Sequence, residues 1–265
     1  MTGAYGVREL VAGLRALGVR PGRDLLVHSS LRHIGQVRGG AASILEALRI
    51  VTEGVTIVVP THTAANSLSS RAFLAATAGM STAQRARYVA AMPGFDRAKT
   101  PSYGMGALAE YVRTSAGAQR SGHPQTSFAA FGPRAERCTA GHELGCHLGE
   151  SSPLGWLYQV RGAVLLLGVG YGACTALHLA EYRLPGHRRR DYQCFIVTDG
   201  VRRAREFTDA ELVDSDFEAM GGLIDGESFV RHGQVGAAYC RLFPIRDIVD
   251  FAAACESFRR HRVAA

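Results

Sequence analysis

The chain has 265 residues, 47% of them hydrophobic, and a mean hydropathy near zero, which is the composition of a globular protein with one large domain or two small ones. No apolar run approaches the roughly 20 residues of a membrane span, and residues 1–6 lack the charged and apolar regions of a signal peptide, so we expect a cytoplasmic protein without membrane contact. The formal net charge of +7 favours an anionic partner. There are two dense basic clusters, His187–Arg190 and Arg259–Arg262, and neither contains interleaved aromatic residues. We interpret both clusters as solvated faces rather than as a nucleic-acid footprint.

Six cysteines are scattered along the chain without a Cys-x-x-Cys pair. This spacing argues against a zinc ribbon and a dense disulfide framework, and it favours reduced thiols. His142, Cys146 and His147 have a spacing that suits a metal ligand set, but no carboxylate lies in register with them. We therefore expect no metal site.

The first sixty residues have the pattern of a helix followed by a β–α–β unit. Apolar positions at helical spacing predict a helix over residues 7–17. Residues 24–28 then predict a buried strand, residues 29–40 its outgoing loop, residues 41–51 an amphipathic helix and residues 55–60 a second strand. This order predicts a parallel sheet.

Periodicity weakens between residues 61 and 97, where small and polar residues precede an alanine-rich piece with helical character. We interpret this segment as an insertion near the mouth of the sheet. Beyond it, residues 104–113 predict a helix and residues 127–132 a strand. Ser152 and Pro153 resemble an N-cap followed by a first-turn proline, which predicts a short helix to Tyr158.

The stretch from Ala163 to Glu181 carries the clearest functional pattern. Residues 163–168 form a short, continuous apolar run, typical of a strand buried on both faces of a parallel sheet. A glycine-bearing turn follows, and Thr175 suits the N-cap of a helix. His178 and Glu181 are three residues apart, so they share one face of this helix at the carboxyl end of the sheet, where open α/β folds bind ligands.

Two interpretations of His178 remain open from its position alone. An imidazole near the positive end of a helix is biased toward its neutral form and can accept a proton near pH 7, which would make His178 a general base. Alternatively, it is one of 10 histidines and packs beneath a short helix.

The remaining residues complete an α/β pattern. Residues 193–198 predict a strand, and Asp199–Gly200 predicts a hairpin turn, so we expect antiparallel strands that extend the sheet. Residues 209–224 have helical character, and residues 235–253 predict a strand or turn followed by a capped helix. Because no repeat, linker or low-complexity tract interrupts the chain, we predict one domain spanning residues 1–265.

Residues 168–173 satisfy a loose dinucleotide-binding pattern, Gly-x-Gly-x-x-Ala, between a strand and a helix. The helix is only about ten residues long before Pro185, and no second strand ends in an acidic residue at the expected distance of about 20. We interpret the pattern as a glycine-rich turn without a dinucleotide.

Three other groups of residues allow a functional and a structural interpretation. Ser29 and Ser30 offer hydroxyl and backbone donors to a phosphate or carbonyl oxygen, or they simply end a strand. His123 precedes a proline, which restricts its backbone and favours a structural role. The acidic group of Asp214, Asp216 and Glu218 suits a polycation or a solvated helix face.

Taken together, these motifs resemble the aminoglycoside N(3)-acetyltransferase family, which has the antibiotic N-acetyltransferase fold and not the GCN5-like fold. The likeness runs in order through nearly the whole chain. It is carried by residues 26–31 (Leu-Val-His-Ser-Ser-Leu), 95–96, 100–101, 105–110, 120–124, 127–132, 152–154, 165–168, 175–181, 216–218 and 240–243.

The resemblance implies a three-layer α/β/α sandwich with a mixed central sheet. It also implies acetyl transfer from acetyl-CoA to the 3-amino group of 2-deoxystreptamine antibiotics, conferring resistance, by a monomer or homodimer without nucleic acid, membrane or metal. Carried over by position, the catalytic histidine falls on His178 and its acidic helper on Glu181. The matching positions of the CoA channel are Ser29, Ser30, Leu31, His123 and Phe128, and the acidic group at Asp216 and Glu218 is expected to hold the cationic acceptor.

One departure from the family pattern bears on the acceptor. Many relatives carry an aspartate after the second strand, where this chain reads Asn66-Ser-Leu-Ser-Ser70. The same transfer to another amine, in biosynthesis, is therefore an alternative. Two hypotheses from other classes are a nucleic-acid-binding module that uses the arginine clusters and a metal hydrolase that uses His178 and Glu181.

Overall fold

The computed structural model describes residues 4–260 and residue 262. The helices are α1 (Val7–Leu17), α2 (Leu31–Ile34), α3 (Gly40–Thr52), α4 (Arg71–Thr77), α5 (Thr82–Ala91), α6 (Gly106–Thr114), α7 (Ala135–Thr139), α8 (Pro153–Gln159), α9 (Ala176–Tyr182), α10 (Phe217–Ile224), α11 (Ile245–Ala254) and α12 (Glu256–Arg260). The strands are β1 (Leu25–Ser29), β2 (Ile57–Pro60), β3 (Gln119–Arg120), β4 (Phe128–Phe131), β5 (Ala163–Leu167), β6 (Arg189–Thr198), β7 (Val201–Ala210), β8 (Arg231–Val235) and β9 (Ala238–Pro244). Within this described part, no helix combines the length and hydrophobicity that crossing a bilayer requires.

Seven of these strands form a mixed central sheet in the order β3-β4-β2-β1-β5-β9-β8. Strand β1 pairs in parallel with β2 on one side and with β5 on the other, while β4 and β9 add antiparallel neighbours. The mixed α/β sheet predicted from the sequence is confirmed. Because the chain leaves β1 toward β2 and returns later to β5, a crevice opens between the carboxyl ends of β1 and β5, as at other topological switch points.

Strand β5 shows how the three layers arise. All five of its side chains are buried, and alternate residues point to opposite faces of the sheet. Leu165 and Leu167 pack with α1, α3 and α6 on one face, whereas Val164 and Leu166 pack with α8, α9 and α11 on the other. Burying one such side chain contributes about 1.5–3 kcal/mol, so this strand anchors the helix that follows it.

The hairpin of β6 and β7 corrects one prediction. Its turn is confirmed, because Asp199 and Gly200 have φ values of 52° and 74°, as a two-residue type I′ turn needs. The prediction that these strands extend the central sheet is wrong: they form a separate two-stranded sheet. Most side chains of β7 are exposed, so the strand lacks the apolar faces of a buried sheet position. The hairpin instead packs on the segment 61–97, through a bridge between Phe95 and Ile196.

Two other predictions from the sequence need correction, and a third is confirmed. Helical structure in residues 209–224 is limited to α10, because β7 occupies the chain up to Ala210. The outgoing loop of β1 contains the short helix α2. The alanine-rich piece is helical, as α4 and α5, and Phe73 of α4 packs with Met92 and Phe195, which attaches this segment to the hairpin.

Candidate functional site

A cleft of about 950 Å³ opens at the carboxyl ends of β1, β2 and β5. The residues that follow these strands form its floor. One wall comes from the segment 61–97, which contributes Ser67, Ser69 and Ser70, and another from the hairpin, which contributes Arg190 and Tyr192. The cleft therefore lies where the topology predicts a ligand site.

His178 and Glu181 meet on the first turns of α9. The Nδ1 atom of His178 lies 2.8 Å from Oε2 of Glu181. Because a carboxylate only accepts hydrogen bonds, Nδ1 donates, and Nε2 keeps the lone pair of the ring. The His178 side chain is 12% exposed and lines the cleft, whereas the Glu181 side chain is 1% exposed. The spacing argument is confirmed, and the structure puts the ring in the cleft wall rather than in a dry core.

Thr175 does not cap this helix in the predicted way. Its backbone is already helical, with φ −63° and ψ −19°, and its side chain makes no capping hydrogen bond. The hydroxyl lies instead 3.3 Å from Nε2 of His28, a buried residue of β1. Burial lowers the pKa of His28 to about 3, so this imidazole is neutral at physiological pH. The floor of the cleft thus links β1 and α9 through two uncharged groups.

The other carboxylate oxygen of Glu181 is held by Arg262 and by the backbone of Val213. This oxygen, Oε1, accepts hydrogen bonds from Nε of Arg262, at 2.6 Å, and from the backbone N–H of Val213, at 3.2 Å. The interpretation of Arg259–Arg262 as a solvated face is wrong for Arg262, which is 2% exposed; His261 lies outside the described residues. Phe258 points into the core, and Arg262 follows it by four residues. Because residues four apart share one face of a helix, this spacing is the sequence signal that could have identified Arg262 as inward-facing.

The predicted CoA contacts separate into two groups. Ser29, Ser30 and Leu31 line the cleft, next to Arg32. His123 and Phe128 are both fully buried and do not line it. His123 accepts hydrogen bonds at Nδ1 from the backbone N–H groups of Gln125 and Thr126, and burial holds its pKa well below the usual range. Its observed contacts are therefore those of a structural residue.

The predicted acceptor contacts are occupied within the protein. The carboxylate of Asp216 accepts hydrogen bonds from Arg262, and Oε1 of Glu218 lies 2.7 Å from the backbone N–H of Gly172. Neither residue lines the cleft, whereas Asp214 does. The turn needs glycine at Gly168, where φ is 72° and a Cβ atom would lie 3.0 Å from the Cβ atoms of both His33 and Ala238.

A second histidine–carboxylate pair supports the opposite wall and was missed from the sequence. The Nδ1 atom of His147 lies 2.7 Å from Oδ2 of Asp209, and Nε2 lies 2.8 Å from Oε1 of Gln125. Although burial opposes it, hydrogen bonds from His147 and from the hydroxyl of Tyr182 hold the pKa of Asp209 below its usual value. Across residues 4–260 and 262, no group of three or more His, Cys, Asp or Glu side chains is arranged to hold a metal ion.

Comparison with known proteins identifies the family of the chain. The model of the family described as aminoglycoside 3-N-acetyltransferase matches residues 26–256. The chain belongs to this family. The resemblance seen in the motifs, and with it the expectation of an acetyltransferase, is confirmed.

Several aminoglycoside acetyltransferase structures share the fold. The YokD protein of Bacillus subtilis (strain 168), described as a prophage-derived aminoglycoside N(3')-acetyltransferase-like protein, is 36% identical over 92% of this chain and 90% of its own length. The crystal structure of YokD superposes on this chain with a TM-score of 0.88. The match covers 96% of this chain and 93% of the YokD chain.

Two further aminoglycoside acetyltransferase structures contain ligands. AAC-IIIb, in a binary complex with CoASH, is 26% identical, with 99% of each chain covered and a TM-score of 0.83. AAC-VIa, bound to sisomicin, is 31% identical, covers 99% of this chain and 100% of its own, and has a TM-score of 0.81. The family match ends at residue 256, so Arg262 lies beyond it.

Proposed function

We propose that the chain transfers the acetyl group of acetyl-CoA to the 3-amino group of 2-deoxystreptamine aminoglycosides, with His178 as the general base. The observation that carries this proposal is the 2.8 Å contact between His178 and Glu181 in the wall of the cleft. The relatives bound to CoASH and to sisomicin support the two substrates, because both share the fold over nearly the whole chain.

The geometry suits proton removal from an attacking amine. Acetyl-CoA supplies an acyl group activated as a thioester, and the amine that attacks it must lose a proton. The Nε2 lone pair of His178 can take that proton, since Nδ1 is committed to Glu181. The carboxylate then stabilises the imidazolium that forms. When the C–S bond of the thioester breaks, the imidazolium gives its proton to the departing CoA thiolate, so the products are the amide and free CoA. A positioned base of this kind contributes about 10²- to 10⁴-fold in rate.

The floor of the cleft offers groups that fit CoA. A cleft of about 950 Å³ lies at the upper end of the range for small-molecule sites. Arg32 supplies a positive charge for phosphate, Leu31 supplies apolar surface, and the hydroxyl of Ser30 is suited to hold the carbonyl oxygen of the thioester. In this proposal the buried His123 and Phe128 support the wall and contact no substrate.

The acceptor would lie between the hairpin and the segment 61–97, which we propose is an insertion in a single domain. Asp214 and the serines that replace the missing aspartate line this part of the cleft. Asp216 and Glu218 would act indirectly, by holding Arg262 and the turn at Gly172. Because acetyl-CoA is an intracellular metabolite, we propose that the reaction takes place in the cytoplasm.

The test is acetyl transfer by the purified protein. We expect thiol release from acetyl-CoA with one or more members of an aminoglycoside panel, and mass spectrometry with NMR should locate the acetyl group on the 3-amino nitrogen. The His178→Gln variant is the control for enzyme-dependent release. No release with any aminoglycoside would contradict the proposal. Expression in a susceptible bacterium, followed by the inhibitory concentration of the accepted antibiotics, tests the resistance role.

A second candidate is the same transfer to a less cationic amine. Among the described residues that line the cleft, the permanently charged side chains are Arg32 and Arg190, and the only carboxylate is Asp214. A polycationic antibiotic would favour the opposite balance. Faster thiol release with a singly charged amine than with any aminoglycoside would select this candidate.

A further inference from the structure

Arg262 is connected to the catalytic pair from outside the segment that matches the family model. We propose that Arg262 is a positioning residue for the acyl transfer: it holds the Glu181 carboxylate in the orientation that fixes the ring of His178. The inference rests on the proposed function, in which His178 accepts the proton of the amine.

The guanidinium group of Arg262 uses all five of its N–H donors. Nε donates to Oε1 of Glu181 at 2.6 Å. Nη1 donates to Asp216 at 2.8 Å and to the carbonyl oxygen of Phe258 at 2.9 Å, and Nη2 donates to Asp216 at 2.5 Å and to the carbonyl oxygen of Val213 at 2.7 Å. The planar group is therefore fixed in a single orientation, and a lysine, with three donors on one atom, cannot replace it.

The two oxygens of Glu181 have separate tasks. Oε2 accepts from His178, and Oε1 accepts from Arg262 and from the backbone N–H of Val213. Without Arg262, only the longer backbone contact, at 3.2 Å, would hold Oε1. The carboxylate would then be able to rotate, and the imidazole would lose its fixed direction.

The charges support the same role. Glu181 and Asp216 carry two negative charges and Arg262 carries one positive charge, so these three groups sum to one negative charge. When His178 takes up a proton, the four groups sum to zero. Removal of Arg262 would take from the Glu181 carboxylate the cation that it contacts, which is costly because Glu181 is 1% exposed.

The segment that carries Arg262 is attached at several points. The guanidinium carbon of Arg262 lies 3.6 Å from the ring centroid of Phe258 and 5.6 Å from that of Phe217. The Phe217 ring in turn contacts His178. The backbone N–H of Arg188, which precedes β6, donates to the carbonyl oxygen of Arg262. Arg262 is therefore in place before any substrate binds.

The experiment compares wild type, Arg262→Met and the control Arg259→Met, which removes an exposed arginine of the same cluster. In the free protein, the Nδ1 proton of His178 should give a low-field NMR signal because it is hydrogen-bonded to a carboxylate. The signal is assigned by its loss in His178→Gln. The equivalent proton of His147, bonded to Asp209, is an internal reference that Arg262 does not contact.

We expect Arg262→Met to displace or abolish the His178 signal and to leave the His147 signal in place. With an accepted amine, kcat should fall about 10- to 100-fold, while the KM for acetyl-CoA changes little; Arg259→Met should match wild type in both measurements. A folded Arg262→Met protein with an unmoved His178 signal, or with wild-type kcat, overturns the proposal.

If Arg262→Met does not fold, Arg262→Lys decides by the same signals. Lysine keeps the positive charge but cannot make the five hydrogen bonds of the guanidinium group. We therefore expect a displaced His178 signal in Arg262→Lys, and an unmoved His178 signal overturns the proposal. If the His178 signal is displaced in the Arg262 variant but the wild-type protein acetylates no aminoglycoside, the proposed substrate is wrong and the role of Arg262 in orienting His178 still holds.

Discussion

The imidazole of His178 packs against the phenyl ring of Phe217, with the ring centroids 4.7 Å apart and the planes inclined at 54°. Phe217 is 1% exposed, so it presents a fixed surface. The ring of His178 is thus held by an aromatic contact and by the hydrogen bond at Nδ1. A ring fixed in this way would need no reorganisation to act as the proposed base.

His178→Gln should therefore remove most of the turnover without unfolding the protein. A glutamine side chain can donate to Glu181 but cannot accept the proton of the amine, and we expect kcat to fall about 10²- to 10⁴-fold. Thiol release and thermal unfolding measure the two effects. His232→Gln, at a surface histidine of β8, should retain wild-type activity. Turnover in His178→Gln equal to that of wild type would refute the general-base assignment.

Glu181→Ala and Glu181→Gln should differ in stability. Alanine removes one of the two carboxylates that hold the buried Arg262, and breaking such a pair costs about 3–5 kcal/mol of the free energy of unfolding. Glutamine keeps an acceptor for Arg262 and should cost less. The control is Glu150→Ala, since Glu150 forms an exposed pair with Arg183 worth about 0–1 kcal/mol. Urea unfolding measures all three variants, and equal values for the first two would show that Arg262 does not depend on Glu181.

Acid should destabilise the fold through its buried histidines. Burial lowers the pKa of His28 to about 3 and that of His142 to about 4, both from 6.5, and it holds the pKa values of His62 and His123 well below that value. Above pH 6.5 both the folded and unfolded chains are uncharged at these positions. Below pH 6.5, the unfolded chain binds protons that the folded chain does not, so the free energy of unfolding falls as the pH drops toward 4. The contribution of His28 continues to fall toward pH 3.

The free energy of unfolding should accordingly be lower at pH 5 than at pH 7. His142→Gln removes one of these groups, so its stability should depend less steeply on pH over this interval than that of wild type. Urea titrations at a series of pH values provide the measurement. A free energy of unfolding that stays constant from pH 7 to pH 5 would show that these histidines are protonated in the folded state as readily as in the unfolded one.

Arg190 should disfavour strongly cationic acceptors. It is exposed and lines the cleft beside Tyr192, so its charge acts across solvent and is worth only about 0.2–1 kcal/mol. Arg190→Gln is expected to raise kcat/KM a few-fold for the most highly charged aminoglycosides, and less at high salt. Arg203→Gln, on the same hairpin but outside the cleft, is the matched control. A gain that is the same for singly and multiply charged amines would contradict this electrostatic role.

The features that the sequence predicted are local ones. The pairing of His178 with Glu181 follows from a spacing of three residues on one helix, and β5 follows from an uninterrupted apolar run. Arg262 lies 81 residues from Glu181, and Asp209 lies 62 residues from His147, so no periodicity could bring them together. The same limit explains the hairpin: alternation identifies a strand, but only tertiary packing decides which sheet it joins.

The hairpin and the segment 61–97 contact each other directly. The side-chain amide of Asn66 donates to the carbonyl oxygen of Phe195 at 2.6 Å and accepts from its N–H at 2.9 Å, as a neighbouring strand would. Within the described residues, neither β6 nor β7 pairs with a strand of the central sheet. Because these contacts join two walls of the cleft directly, a substitution that shifts one wall should shift the other, and the two sides of the acceptor region proposed above would change shape together.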